Sequence, residues 1–300
     1  MTALDLTVVG LGLVSPVATT AREHVFVIRS EAAMHAGRAF VDGSGERLEV
    51  LHCPLIDPKR PLLERLSALG SYALEDALGA LSSWSRRGQL VAQLCAPAAE
   101  GPLTTELFGA CEQSWARQHQ LRFGQRFAGS AGCYEALGAA TDALSRGASA
   151  VVIVAVDSSA NPAVIAERLR PVQRWVSVPP RLSEAAAALV ITTPALAAEI
   201  GVSFGRLRHA AVAVGVGTDH DDEPVDGRAM TQLIRQAVAT TSTPWGNVFG
   251  PFTVDALRRT AWHCGMVRNR HAFALDGDQR CVEHAIGNVG AASGLAHLVY

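Results

Sequence analysis

Lysine is nearly absent from this chain. Of 26 basic residues only Lys59 is a lysine, and every other one is an arginine. A GC-rich coding sequence produces such a skew, and no function follows from it. Charge is also sparse, at 18% of residues with a formal net charge of −2, so neither nucleic acid nor an anionic membrane surface is an expected partner. The first residues, "MTALDLTVVGLG", lack the basic segment and long apolar run of a signal peptide. The longest apolar run, "ASAVVIVAV" (Ala148–Val156), is too short to span a bilayer. Six cysteines scattered over 300 residues make no disulfide framework. These absences lead to the expectation of a soluble, reduced, cytoplasmic protein without a cofactor.

What is present is a large core. Apolar residues make up 49% of the 300-residue chain, enough for one large or two modest domains. Strand patterns are read at "LTVVGLGLVSP" (Leu6–Pro16), "QLVAQLCAP" (Gln89–Pro97), Gln125–Ala128, "AVVIVAVDSS" (Ala150–Ser159), "EAAAALVITT" (Glu184–Thr193) and "AAVAVGVGT" (Ala210–Thr218), the first and fifth of them as buried strands. Between them lie helical patterns, among them "PLLERLSALGSYALEDALGAL" (Pro61–Leu81), "TTELFGACEQSWARQHQ" with its threonine cap, and "GRAMTQLIRQAVATT". "NVFGPFTVDALRRTAWHCG" reads as a strand end, a loop and a helix. Strands alternating with helices indicate an α/β protein. The Gly10–Gly12 pair resembles part of a dinucleotide loop, but Ser15 stands where a third glycine would follow and Pro16 interrupts the helix, so a nucleotide fold is set aside.

Two small-residue segments carry the most information. "FAGSAGCYEALGAATDAL" (residues 127 to 144) reads as strand, tight turn and helix, with Ser130 and Cys133 competing as a nucleophile at the turn. "EHAIGNVGAASGLAHLVY" near the other end reads as a second strand, turn and helix of the same plan. Glycine inside a helix costs about 0.5–1 kcal/mol relative to alanine, so close packing on both sides is expected to offset it. One such helix in each half predicts two pseudo-equivalent halves, 1–165 and 180–300, forming one compact unit.

With these residues in hand the chain resembles the β-ketoacyl synthases of the thiolase superfamily. "VVGLGLVSPV", "RLSALGSYALEDAL", "GSAGCYEALGAATDALSRGASAVVIVAVDSS", "LSEAAAALVI" and "IGNVGAASGL" follow the family's order over most of the chain. The resemblance implies a thiolase-like αβαβα layered fold, with the C-terminal half truncated at Tyr300. It puts the family's cysteine nucleophile on Ser130, with Cys133 one helical turn further on. It puts one polar partner on Asn288, as in the initiating synthases, and turns the family's lysine into Glu283. The other partner falls near Gly250 or Pro251, where no histidine stands. A serine with no histidine to deprotonate it is a poor nucleophile.

The expected function is therefore that of a catalytically degenerate ketosynthase-like protein acting as a partner, scaffold or adaptor. One form is a chain-length-factor-like subunit. Another is an accessory protein of a bacterial system such as type VI secretion effector loading. The resemblance implies a homodimer, or a heterodimer with another thiolase-fold subunit, with an acyl carrier protein or a secretion effector as further partners. Its edge-strand segment is "LRFGQRFAG".

The alternative is an acyltransferase or hydrolase using Ser130, since Ala-Gly-Ser-Ala-Gly imitates a nucleophile elbow. A hydrolase would draw on Asp276 with His284 or His297. Cys133 reads as a buried core thiol, and Asn288 as a turn residue or a donor. His263, Cys264, His271, Cys281 and His284 lack a clean metal-ligand spacing, so no metal is expected. The acidic run Asp219, Asp221, Asp222 and Glu223 reads as a solvated loop.

Overall fold

The computed structural model describes residues 2–30, 37–41, 47–57, 59–82, 84, 90–169, 181–213, 226–241, 243–250 and 256–300. Its strands are β1 (Thr2–Val14), β2 (Gly37–Val41), β3 (Arg47–Leu51), β4 (Leu90–Ala96), β5 (Arg122–Ala128), β6 (Ala150–Ser158), β7 (Glu184–Thr192), β8 (Gly205–Ala210), β9 (Trp245–Phe249) and β10 (Phe273–Arg280). Its helices are α1 (Ala21–Arg29), α2 (Leu62–Gly79), α3 (Thr105–His119), α4 (Gly132–Ser145), α5 (Pro162–Leu169), α6 (Pro194–Ile200), α7 (Arg228–Val238), α8 (Ala256–Arg268), α9 (Val282–Ile286) and α10 (Ser293–Val299). The acidic run at 219–223, Pro251 and the stretch 170–180 lie outside the described residues.

Six strands form one sheet in the order β5-β4-β6-β7-β1-β8. The β5, β4 and β6 strands run parallel, and β7, β1 and β8 are added antiparallel. Every residue of β6 and β7 is buried, as expected of strands covered on both faces. Alternation divides them: Val152, Val154 and Val156 join the core under α2 and α3, while Val151, Ile153 and Ala155 join the core under α4 and α10. Strand β7, read as opening the second part of the chain, thus shares a sheet with strands of the first 165 residues. A separate two-stranded parallel sheet, β9–β10, meets α10 through the Phe249–Tyr300 ring pair and an Arg280–Tyr300 hydrogen bond of 3.1 Å.

Three expectations need correction. The segment before the second small-residue turn, expected as a strand, is the helix α9; its Glu, His and Ala are indifferent strand formers. The true strand is β10, whose "LDGDQR" carries the Asp and Gly of a turn. Of the strand expected at Ala210–Thr218, Ala210 is the last residue of β8, which begins at Gly205, residues 211–213 are not in a strand, and residues 214–218 lie outside the described residues. The packing rationale for helical glycines holds at Gly132, where an added Cβ would lie 3.1 Å from the Phe127 Cβ, and fails at Gly138, where nothing lies within 4 Å.

Local chemistry explains the ends of several elements. Thr20 caps α1 reciprocally with Glu23, and Thr104 and Thr193 cap α3 and α6. Asp76, from the last turn of α2, accepts the Ala21 amide at 2.7 Å and so ties α1 to α2. His24 is fully buried. Its Nδ1–H donates to the Thr20 carbonyl at 2.7 Å, which leaves Nε2 to accept the Ser15 hydroxyl at 2.7 Å. Burial lowers its pKa to about 4, opposed by the Thr20 bond and by the charge of Glu23. The unfolded chain takes up this proton below about pH 6.5. The folded protein does not until about pH 4, so stability is lost as pH falls through this window, by about 3 kcal/mol in all. Urea unfolding at pH 7 and pH 4.5 should show this loss, and His24→Gln should be less stable at pH 7 but flatter with pH. Equal pH slopes in the two proteins would exclude His24 as the cause.

Candidate functional site

The turn Gly129–Ala131 joins β5 to α4. Gly129, at φ +74°, donates its amide to the Ala96 carbonyl at 2.9 Å, and the Gly132 amide closes the turn on the Gly129 carbonyl at 3.1 Å. Ser130 is partly exposed at its tip, flanked by exposed Ala128 and Ala131. The turn thus faces solvent. Cys133 lies below it, fully buried, with its Sγ 3.9 Å from the Ser130 carbonyl oxygen. Burial pushes this thiol up to about 12, only partly countered by backbone hydrogen bonds, so it is neutral at physiological pH and inert as a nucleophile.

The second turn is brought against the first. A Cβ built on Gly294, in the first turn of α10, would lie 2.4 Å from Cys133 Sγ and 2.9 Å from the Ser130 carbonyl oxygen. Glycine is required there because the two buried helices meet at their amino ends. Asn288 is held by backbone bonds to Arg181 and Ser183, at 2.8 and 3.1 Å, and its Oδ1 accepts the Gly290 amide at 3.0 Å. That carbonyl oxygen is spent on its own turn. Glu283 is buried in α9, and its Oε1 has no hydrogen-bond partner. A carboxylate there accepts protons, whereas a lysine donates them. Gly250 closes the end of β9 by donating its amide to the Arg280 carbonyl at 3.0 Å.

The hydrolase residues do not assemble. His297 is buried, with Nδ1 on the Ser293 carbonyl at 2.7 Å and no hydrogen bond at Nε2, so it does not activate Ser130. Asp276 and His284 are exposed, Asp276 on β10 and His284 on α9. Of the metal candidates, His263, His271 and His284 are exposed, Cys264 is half-buried and Cys281 is buried. Among the described residues no three His, Cys, Asp or Glu side chains gather as a metal-binding group. No described helix is long and apolar enough to cross a membrane.

Sequence reasoning did not single out the buried polar groups around this site. Glu184 begins β7 and pairs with Arg65 of α2 at 3.0 Å, both side chains fully buried. It also accepts the Cys53 amide at 2.8 Å and the Ser158 hydroxyl at 2.6 Å. Asp157, near the end of β6, accepts the Ala291 amide at 2.8 Å and pairs with Arg168 of α5. The available signal was an acid interrupting or opening an otherwise apolar strand, because such a charge must be paired.

No protein-family profile matches the chain, and no curated protein does. Solved structures do. A type II polyketide synthase acyl-carrier protein in complex with its hexaketide-bound ketosynthase (AntDE:AntF) matches at a TM-score of 0.74 and 16% identity, over 99% of this chain and 85% of that one. The ishigamide ketosynthase/chain length factor matches at 0.66 and 18%, over 99% and 90%. A ketosynthase from module 6 of the Bacillus subtilis bacillaene synthase matches at 0.66 and 15%, over 98% of this chain and 57% of that one. The fold is therefore the thiolase-like fold of the ketosynthases.

Proposed function

We propose that this thiolase-fold chain is a non-catalytic subunit that docks along the free edge of β5 onto a second thiolase-fold subunit. The observation that carries this reading is the edge itself. Among the described residues strand β5 pairs with β4 alone and ends the six-stranded sheet, and it exposes Arg122, Gly124, Gln125 and Ala128. A seven-residue strand with an open row of backbone donors and acceptors is a template for another strand. The similar structures support the reading, since one is a ketosynthase/chain length factor and another holds an acyl-carrier protein with its ketosynthase. The chemistry supports it too: an open serine turn, a neutral buried thiol and a glutamate in place of a lysine make a poor condensing site.

The edge can be tested without disturbing the monomer. A Cβ on Gly124 would meet nothing nearer than 3.8 Å, so Gly124→Lys fits the folded chain while opposing strand-to-strand pairing. Wild-type protein at micromolar concentration should sediment as a dimer, or form a complex with a ketosynthase encoded beside it, and Gly124→Lys should sediment as a monomer. Wild-type protein that is monomeric both alone and with that ketosynthase would overturn docking along β5.

Condensation of malonyl and acyl thioesters should be undetectable, since one missing oxyanion donor alone costs about 10²–10³ in rate. Ser130→Cys should not restore it. Robust acylation of Ser130 by acyl thioesters, abolished by Ser130→Ala, would replace this reading with a serine acyltransferase or hydrolase.

A further inference from the structure

Beside the second turn, the donors that an external oxyanion would use are already taken by side-chain oxygens of the chain itself. The Gly290 amide goes to Asn288 Oδ1 at 3.0 Å and the Ala291 amide to Asp157 Oδ2 at 2.8 Å. The other oxygen of Asp157 takes Arg168 Nη2, and Arg168 Nη1 is steadied on the Ser159 hydroxyl at 2.5 Å. Asp157 is 1% exposed, whereas the Arg168 side chain is 21% exposed, so the pair is reached from solvent on the arginine side.

Gly290 is shaped to the same carboxylate. It sits at φ +51°, and a Cβ there would lie 2.1 Å from Asp157 Oδ2. Two separate elements thus converge on one anion: α5 with its arginine, which Ser159 just after β6 holds in place, and the turn before α10 with its amide and its glycine.

We propose that Arg168, Ser159 and the Ala291 amide form a carboxylate-binding cradle, and that Asp157 is its tethered occupant, closing it to external carboxylates. A guanidinium and a backbone amide are the donor set that recognises a planar carboxylate. A tethered carboxylate is present at an effective concentration that millimolar free anion does not match. Wild-type protein therefore refuses small carboxylates, and removing only the tethered group creates a site for them. The inference does not depend on docking at β5. It bears on the proposed function because the Gly290 and Ala291 amides of the second turn are not open to an oxyanion.

The test is chemical rescue of Asp157→Ala. This variant should lose on the order of 5 °C in Tm, because Arg168 and the Ala291 amide lose their acceptor. About 100 mM sodium formate or acetate should recover at least half of the loss, and sodium chloride at the same ionic strength should not. Asp157→Ala/Arg168→Ala should show no selective recovery, and wild type no selective shift. Equal recovery with chloride and formate, or undiminished formate recovery in the double variant, would overturn the cradle. If Asp157→Ala does not fold, Asp157→Ser serves instead with the same formate and chloride arms, and equal recovery with the two anions there would overturn the proposal.

Discussion

Glu184→Ala is expected to destabilise the protein by about 3–5 kcal/mol, because it leaves a fully buried guanidinium without its counter-ion. The carboxylate serves three partners at once: Arg65 at 3.0 Å, the Cys53 amide at 2.8 Å and the Ser158 hydroxyl at 2.6 Å. It thereby ties α2, the chain after β3, and the ends of β6 and β7 at one point. Arg65 is held further by donation of Nη2 to the Asp57 carbonyl at 2.9 Å, but its Nε is already without a partner. Urea unfolding measures the loss, and a loss under about 1 kcal/mol would show the site relaxing freely, against its burial. Arg65→Met/Glu184→Leu should be far closer to wild type than Glu184→Ala. Removing both charges also removes their desolvation cost, whereas removing one strands the other.

Gly12→Val is expected to be the most damaging single-methyl-scale change, costing about 3 kcal/mol or more and leaving little soluble protein. A Cβ at Gly12 would sit 1.9 Å from the Ala73 carbonyl oxygen, and one at Gly10 2.3 Å from the Ala77 carbonyl oxygen. Both obstacles are backbone of α2, so no side-chain rotation relieves them; the helix itself must move. Gly12→Ala should already be clearly destabilised. Gly138→Ala is the control: nothing lies within 4 Å of its Cβ position, and alanine favours the helix, so this change should be neutral or stabilising by up to about 1 kcal/mol. Thermal unfolding of the three variants checks the order, and a Gly12→Val protein as stable as wild type would refute the close-approach explanation.

These glycines show how a motif can be legible while its role is not. Gly10 and Gly12 resemble a piece of a phosphate loop in the sequence, yet their role is to let α2 lie directly on β1. Spacing alone reports that a backbone is approached closely, not what approaches it. Ser130 and Cys133 were legible as a turn and a core thiol because each depends on a few neighbouring residues. His297 as a catalytic partner was not legible either way. Whether it reaches Ser130 depends on which face of α10 it occupies and on its bond to Ser293.

The sequence by itself determined the type of most elements, though not of α9, β8 and β10, together with the burial of β6 and β7 and the paired small-residue helices, since these follow from local periodicity and residue size. It also gives the residue at each candidate position, Ser130, Glu283 and Asn288, for identity needs no coordinates. Only the tertiary structure decided what those positions do. It placed β7 between β6 and β1, set β5 at the open edge, joined Glu184 to Arg65 across 119 residues and seated Asp157 on an amide 134 residues away. A buried charge announces that it needs a partner, but many arginines and amides could satisfy it. Choosing among them requires the chain to be folded, because partners so distant in sequence are selected by packing and not by pattern.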